Sequence, residues 1–296
     1  MFYGALLAAL ALAGCGRTGP QAGHGRLVVV AAENFWGSLA RQLAGDKATV
    51  VSVIANPATD PHDYQPTAAD GRAIAVSSLA IVNGLGYDDW AGQLLGASPS
   101  GSRVVLDVGK LLLLREGANP HRWYYPADVE QVIDAIAADY QRLDPRDAAY
   151  FAARRRRLLT SGLAEYDRLR RQIRARFAGT PVGYSESIFQ GLGEDLGLRL
   201  TTPTGFAKAI AEGTDVTARD KQTVDAQATQ RRIAVWVYNS QNATPDVQRV
   251  NQLARAAGIP IVTVTETLAP ASASFERWQS DQLRALLAAL ERSRAR

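Results

Sequence analysis

The sequence predicts an α/β protein of two lobes, each a mostly parallel sheet flanked by helices, joined by one long backbone helix. Three observations carry that expectation. Short apolar, β-branched runs alternate with helical patterns from residue 27 to about residue 107, the order that builds a parallel sheet. A second series of the same kind starts past Gly179. Between the two, Leu159, Leu163, Tyr166, Leu169, Ile173 and Phe177 recur at steps of three and four. That stripe belongs to an amphipathic helix over 146–177, about thirty residues and roughly 45 Å long.

Each element has its own signal. Leu27 to Ala32 is an unbroken apolar run, suited to a strand buried on both faces. Gly37 to Gly45 reads as a short helix closed by glycine, and Ala48 to Ile54 as the second strand. Thr67 with Asp70 is a variant capping box opening the next helix. Leu79 to Asn83 and Arg103 to Asp107 are further strands, with helical Asp88 to Leu95 between them. From Pro126 the pattern turns helical, with Val129, Val132, Ile133 and Ile136 on one face, and Pro145 restarts a longer helix. The second series has strands at Pro181–Tyr184, near Arg199–Thr201, at Ile233–Tyr238 and at Ile261–Thr265. Its helices are expected at Ser187–Leu196, Thr217–Gln230, Pro245–Ala257 and Phe275–Arg292, with a polar loop reaching Asp215. The expected division is 26–143 for the first lobe, 144–178 for the linking helix and 179–296 for the second lobe.

Composition narrows the class. With 296 residues, 47% hydrophobic and 21% charged, the chain is long enough to bury two cores and has the balance of a folded, water-soluble body. Its net charge of +4 comes largely from Arg154 through Arg176. No reading motif or interleaved aromatics accompany those arginines, so a solvated helix face is expected and nucleic acid is not.

Residues 1–25 read as a signal and tether. Phe2 to Ala13 is apolar, too short for a membrane span of about 20 residues but suited to a secretion signal. It runs into Leu12-Ala13-Gly14-Cys15, which looks like a bacterial lipobox with Cys15 as the lipidated residue, although no Lys or Arg precedes the apolar run. Gly16 to Gly25 then has the composition of a flexible tether. This predicts a protein anchored in the bilayer through Cys15 on the extracytoplasmic face. Since Cys15 is the one cysteine, no disulfide forms within the mature chain.

The chemistry gathers at strand ends, where open α/β sheets bind ligands. His62 stands in the loop Asp60-Pro61-His62-Asp63-Tyr64-Gln65-Pro66 after the second strand, and His121 in Asn119-Pro120-His121 after the fourth. In the second series, Glu186 and Glu266 each follow a strand end, at Tyr184 and Thr265, within two residues. Two imidazoles and two carboxylates suit a first-row divalent ion, and the second carboxylate favours harder ones such as Mn²⁺ or Fe²⁺, while Zn²⁺ stays compatible. The plainer roles are helix capping for Glu186 and turn capping for Glu266. Asn239 and Gln241 follow another strand and are candidate outer partners. Trp123, Tyr124 and Tyr184 are expected to wall the cleft.

Glu33-Asn34-Phe35-Trp36, Asp60 to Thr67, Asn83-Gly84, Asn119-Pro120-His121-Arg122-Trp123 and Ser185-Glu186-Ser187-Ile188-Phe189 resemble the signature segments of the zinc/manganese substrate-binding lipoproteins of bacterial ABC importers. The likeness extends over residues 27–292. It implies two lobes on a rigid helix with a metal in the cleft, a permease partner and a monomeric receptor without enzymatic turnover. His62 and His121 match that family's first two ligands, and Glu186 stands where manganese importers carry glutamate. Glu266 matches the last carboxylate, usually aspartate. A histidine-rich loop after the first ligand, common in zinc binders, is absent here, and of the three histidines only His24, in the tether, remains. Both departures lean toward manganese. The alternatives are a zinc-dependent hydrolase using His62, His121 and Glu186, against which there is no His-Glu-x-x-His spacing, and a surface adhesion lipoprotein.

Overall fold

The computed structural model describes residues 26–59 and 64–295. Strand β1 (Leu27–Glu33) is the apolar run expected from sequence, buried along its last five residues. It leads into α1 (Asn34–Ala44), which ends where Gly45 takes a left-handed φ of 56°. Strand β2 (Ala48–Ile54) lies outside β1; helix α2 (Ala68–Ala75) follows, its capping box of Thr67 and Asp70 fully formed. Strand β3 (Leu79–Val82), α3 (Asp89–Ala97), β4 (Val104–Asp107) and the single turn α4 (Val108–Leu111) complete a parallel sheet of order β2-β1-β3-β4.

Helix α5 (Pro126–Leu143) buries Val129, Val132, Ile133 and Ile136, the face read from the sequence. After the short turn Pro145–Asp147 comes the long helical rod, which differs from expectation in one respect. It runs as α6 (Ala148–Arg157), a π-turn over Leu158–Gly162, and α7 (Ala164–Phe177). Within the π-turn Leu163 N–H donates to Leu158 O at 2.9 Å, and Thr160 Oγ1 donates to Arg156 O at 2.8 Å. One extra residue in that turn resets the helical phase, so Leu158 is fully buried and Leu159 only partly so. The opposite face carries the arginines, several of them ion-paired: Arg155 with Asp134, Arg170 with Asp167 and Asp195, Arg176 with Glu291.

The second lobe repeats the first. Its elements are β5 (Pro181–Tyr184), α8 (Gln190–Asp195), β6 (Arg199–Leu200), α9 (Thr204–Ala211), α10 (Ala218–Thr229), β7 (Val235–Asn239), α11 (Pro245–Ala256), β8 (Ile261–Val264) and α12 (Phe275–Arg294). The parallel sheet has the order β6-β5-β7-β8. Helix α9 replaces most of the expected polar loop. It holds because Phe206, Ala207, Ala209 and Ile210 are all buried, and Phe206 and Ile210 pack into a core with Val216 and Val224.

The two lobes share an apolar core. Leu39, Trp123 and Val132 belong to the same buried cluster as Phe177, Val264 and Leu283. Polar stitches reinforce it: Tyr124 Oη donates to Thr265 O at 2.8 Å, Leu268 N–H to Asn34 Oδ1 at 3.1 Å, and Phe275 N–H to Ser38 Oγ at 3.0 Å. This seam joins the carboxyl ends of the two sheets, where ligands of open α/β sheets are held.

Candidate metal centre

His121 enters the seam on the loop between α4 and the 3-10 turn Arg122–Tyr124. Asn119, two residues earlier, positions it: Asn119 Oδ1 accepts from His121 N–H at 3.1 Å and lies 2.8 Å from the ring Nδ1, while its Nδ2 donates to Ser187 O at 2.8 Å. Since an oxygen faces Nδ1, that nitrogen carries the proton and the lone pair falls on Nε2, the arrangement of a metal-ligating imidazole. Edge contacts with Trp123 at 5.3 Å and Tyr87 at 6.0 Å between ring centroids fix the ring plane.

Glu186 and Glu266 come from the other lobe. Glu186 occupies the position before the Ser187–Phe189 turn but makes no cap with its side chain. Its Oε1 accepts from Asn239 Nδ2 at 2.6 Å and its Oε2 from Asn242 Nδ2 at 2.8 Å. Glu266 Oε1 accepts from the same Asn239 Nδ2 at 2.9 Å, and its Oε2 from Tyr87 Oη at 2.7 Å. One amide thus aligns both carboxylates. Gln241 supports the next layer, accepting through Oε1 from Glu266 N–H at 2.6 Å and Thr267 N–H at 3.0 Å, and donating through Nε2 to Thr267 Oγ1 and to Pro57 O across the seam.

His121, Glu186 and Glu266 are all buried, and each offers a ligand atom within 4.8 Å of the others. A cation about 2.0–2.3 Å from each atom would hold them no more than about 4.6 Å apart, inside that limit. Neutral amide and phenol donors orient the carboxylates and preserve their affinity for a cation. Of the other expected site residues, His62 and Cys15 lie outside the described residues. The segments beside His62 are anchored: Pro57 O accepts from Gln241, and Tyr64 Oη donates to Asp70 Oδ2 at 2.9 Å. Asn239 and Gln241 do lie behind the carboxylates. Trp123 and Tyr124 are buried at the seam, and Tyr184 lines an adjoining cavity of about 610 Å³ together with Ser187 and Lys208.

Sequence reasoning missed Tyr87, Asn119 and Asn242 as partners. Tyr87 reaches Glu266 because Gly84, Leu85 and Gly86 all take left-handed φ values of 59–78° and curl the chain toward the seam. Burial and the adjacent Glu266 charge push its phenol far above the ordinary range. Glu33, at the end of β1, is also buried, and desolvation followed by repulsion from Asp88 raises its carboxyl well above the usual value. Burial holds Asp88 itself at about 6.

Comparison with known proteins agrees with this architecture. The chain is 28% identical over 153 residues to the manganese-binding lipoprotein MntA of Halalkalibacterium halodurans, covering 50% of this chain and 51% of that protein. It is 21% identical over 185 residues to the high-affinity zinc uptake system protein ZnuA of Bacillus subtilis, covering 56% and 57%. These alignments span about half the length of the curated relatives. Among solved structures, the periplasmic zinc binding protein TroA from Treponema pallidum superposes with a TM-score of 0.70 at 20% identity, over 90% of this chain and 99% of that one. The substrate-binding protein FpvC of Pseudomonas aeruginosa, solved with Mn²⁺, gives 0.71 at 20% identity, again over 90% and 99%. The family model described as "Zinc-uptake complex component A periplasmic" matches residues 29–289, and the chain therefore belongs to that family.

Proposed function

We propose that the protein is the extracytoplasmic substrate-binding component of an ABC importer, capturing one divalent transition metal in the inter-lobe cleft and delivering it to a membrane permease. The observation that carries this reading is the buried meeting of His121, Glu186 and Glu266 in the seam between the lobes. His62 completes a four-ligand set. Two carboxylates with two imidazoles favour Mn²⁺ or Fe²⁺ over softer-ligand metals while accommodating Zn²⁺. The ion is cargo, and a binder of this kind performs no turnover.

The lobes correspond to residues 26–143 and 179–296, with 144–178 linking them. Because the rod packs along both and the seam is stitched by Tyr124 and Asn34, capture and release proceed by local movement beside the carboxylates. Cys15 carries the lipid anchor, which places the monomeric receptor on the outer face of the cell membrane. No helix among the described residues is long and apolar enough to cross a membrane. The test is titration of the purified protein with Mn²⁺, Zn²⁺ and Fe²⁺. His62→Ala and His121→Ala should each lose affinity for the preferred ion; parental affinity in both overturns the site.

A further inference from the structure

The two sheets are the same fold in the same register, and that equivalence singles out a residue. In the first sheet Val29, Val30 and Ala31 pair with Leu79, Ala80 and Ile81. In the second, Val182, Gly183 and Tyr184 pair with Val235, Trp236 and Val237. Placing Val29 on Val182 puts Leu79 on Val235. Four residues further along each strand, Glu33 falls on Glu186 and Asn83 falls on Asn239. Both asparagines are completely buried at the carboxyl end of the third strand of their sheet. Asn239 aligns the two carboxylates.

Asn83 makes the corresponding set of bonds on the imidazole side. Its Nδ2 donates to Pro120 O at 2.9 Å, its Oδ1 accepts from Trp36 Nε1 at 3.1 Å, and its backbone O accepts from Gly109 N–H at 3.0 Å. The acceptor at Pro120 is the carbonyl immediately before His121. One side chain therefore ties the His121 backbone to the core through Trp36, which is itself fully buried. Ligating side chains depend on such outer partners for their direction.

Resting on the metal-binding reading above, we infer that Asn83 is a positioning residue for His121, the counterpart of Asn239 across the cleft, holding the imidazole through the Pro120 carbonyl while Asn239 holds the acids. It acts on the metal only through His121. Asn83→Asp is the informative variant, since it keeps the volume and the acceptor for Trp36 Nε1 but cannot donate to Pro120 O as a carboxylate. Asn83→Ala removes both bonds. Asn251→Asp is the control: it makes the same change in another fully buried asparagine that accepts from an indole, Trp236 Nε1 at 2.8 Å, on a helix that carries none of the three ligand candidates.

The experiment measures Mn²⁺ and Zn²⁺ affinity of the full chain by calorimetry and the ring ¹⁵N resonances of His121 before metal is added. Asn83→Asp and Asn83→Ala should weaken binding by about 10–100-fold, the usual cost of losing an outer partner. Their His121 ring resonances should move toward an averaged tautomer, whereas Asn251→Asp keeps the parental ring pattern and affinity within about threefold. Parental affinity in folded Asn83→Asp, or an unchanged His121 ring spectrum in both Asn83 variants, overturns the inference. His121→Ala separates the two readings: if it too binds normally, the metal site itself is wrong; if it fails while the Asn83 variants bind, only the positioning role is.

Discussion

Glu33 and Glu186 occupy the same place in two copies of one sheet, yet their surroundings are opposite. Glu186 receives hydrogen bonds from Asn239 and Asn242. Glu33, equally buried, has the carboxyl of Asp88 beside it instead, and desolvation with the charge of Asp88 raises its pKa. Topology thus supplies the position of an acid, and its neighbours set the surroundings, amide donors at Glu186 and another carboxyl at Glu33. Amide donors favour the charged form of a buried acid, whereas desolvation and a neighbouring like charge disfavour it.

The largest test of this contrast is loss of the aligned acids. Glu186→Ala and Glu266→Ala should each weaken Mn²⁺ binding by more than about 100-fold, beyond the 10–100-fold typical of outer partners. Glu33→Ala should change it by less than about threefold by the same comparison, and calorimetric titration reads all three. Next comes the donor the acids share. Asn239→Ala should cost about 10–100-fold in affinity, and equal affinity to the parent would mean that the amide does not orient the ligands.

Glu33 itself gives a smaller, pH-dependent effect. Its folded-state value lies above the ordinary 4.5, so the folded chain holds this proton more tightly than the unfolded one. The stabilising contribution is complete below 4.5 and is lost as pH rises through the folded value; Asp88, raised from 3.8 to about 6, acts in the same sense. Glu33→Gln should therefore melt with the metal-free parent at pH 4 and above it at pH 8. A constant difference across that range would contradict the assignment. The smallest expected effect compares α2 and α10, which occupy equivalent places in the two lobes. Thr67 and Thr217 each accept from the N–H of an aspartate three residues on. Thr67→Ala and Thr217→Ala should each cost about 1 kcal/mol, visible as similar shifts in denaturant midpoint. The reciprocal bond, from Thr67 N–H to Asp70 Oδ2 at 2.7 Å, uses the backbone and survives in Thr67→Ala.

Much of this was legible because its signals are local. Asp70 and Asp220 stand three residues after a threonine, and Glu186 and Glu266 stand two after an apolar strand. Partners set by tertiary folding left less trace. Tyr87 meets Glu266 across 179 residues of sequence, and nothing near Tyr87 announces an acid. Helix α9 offered only Phe206 and Ile210 as large apolar residues, and their burial depends on Val216 and Val224. The π-turn could not be read because a simple period of 3.6 already fits Leu159. Asn119 was the exception, close enough to His121 in sequence to have been recognised as the partner of its ring.

The core shared by both lobes has a thermodynamic consequence. With Trp123, Phe177 and Leu283 in a single apolar cluster, neither lobe can melt without exposing surface that the other covers. An ion that binds only the native seam then stabilises the entire chain by mass action, by about 4.1 kcal/mol when its free concentration is a thousand times its dissociation constant. Resistance of the whole molecule to unfolding, or to proteolysis at sites far from His121, becomes a gauge of how full the cleft is.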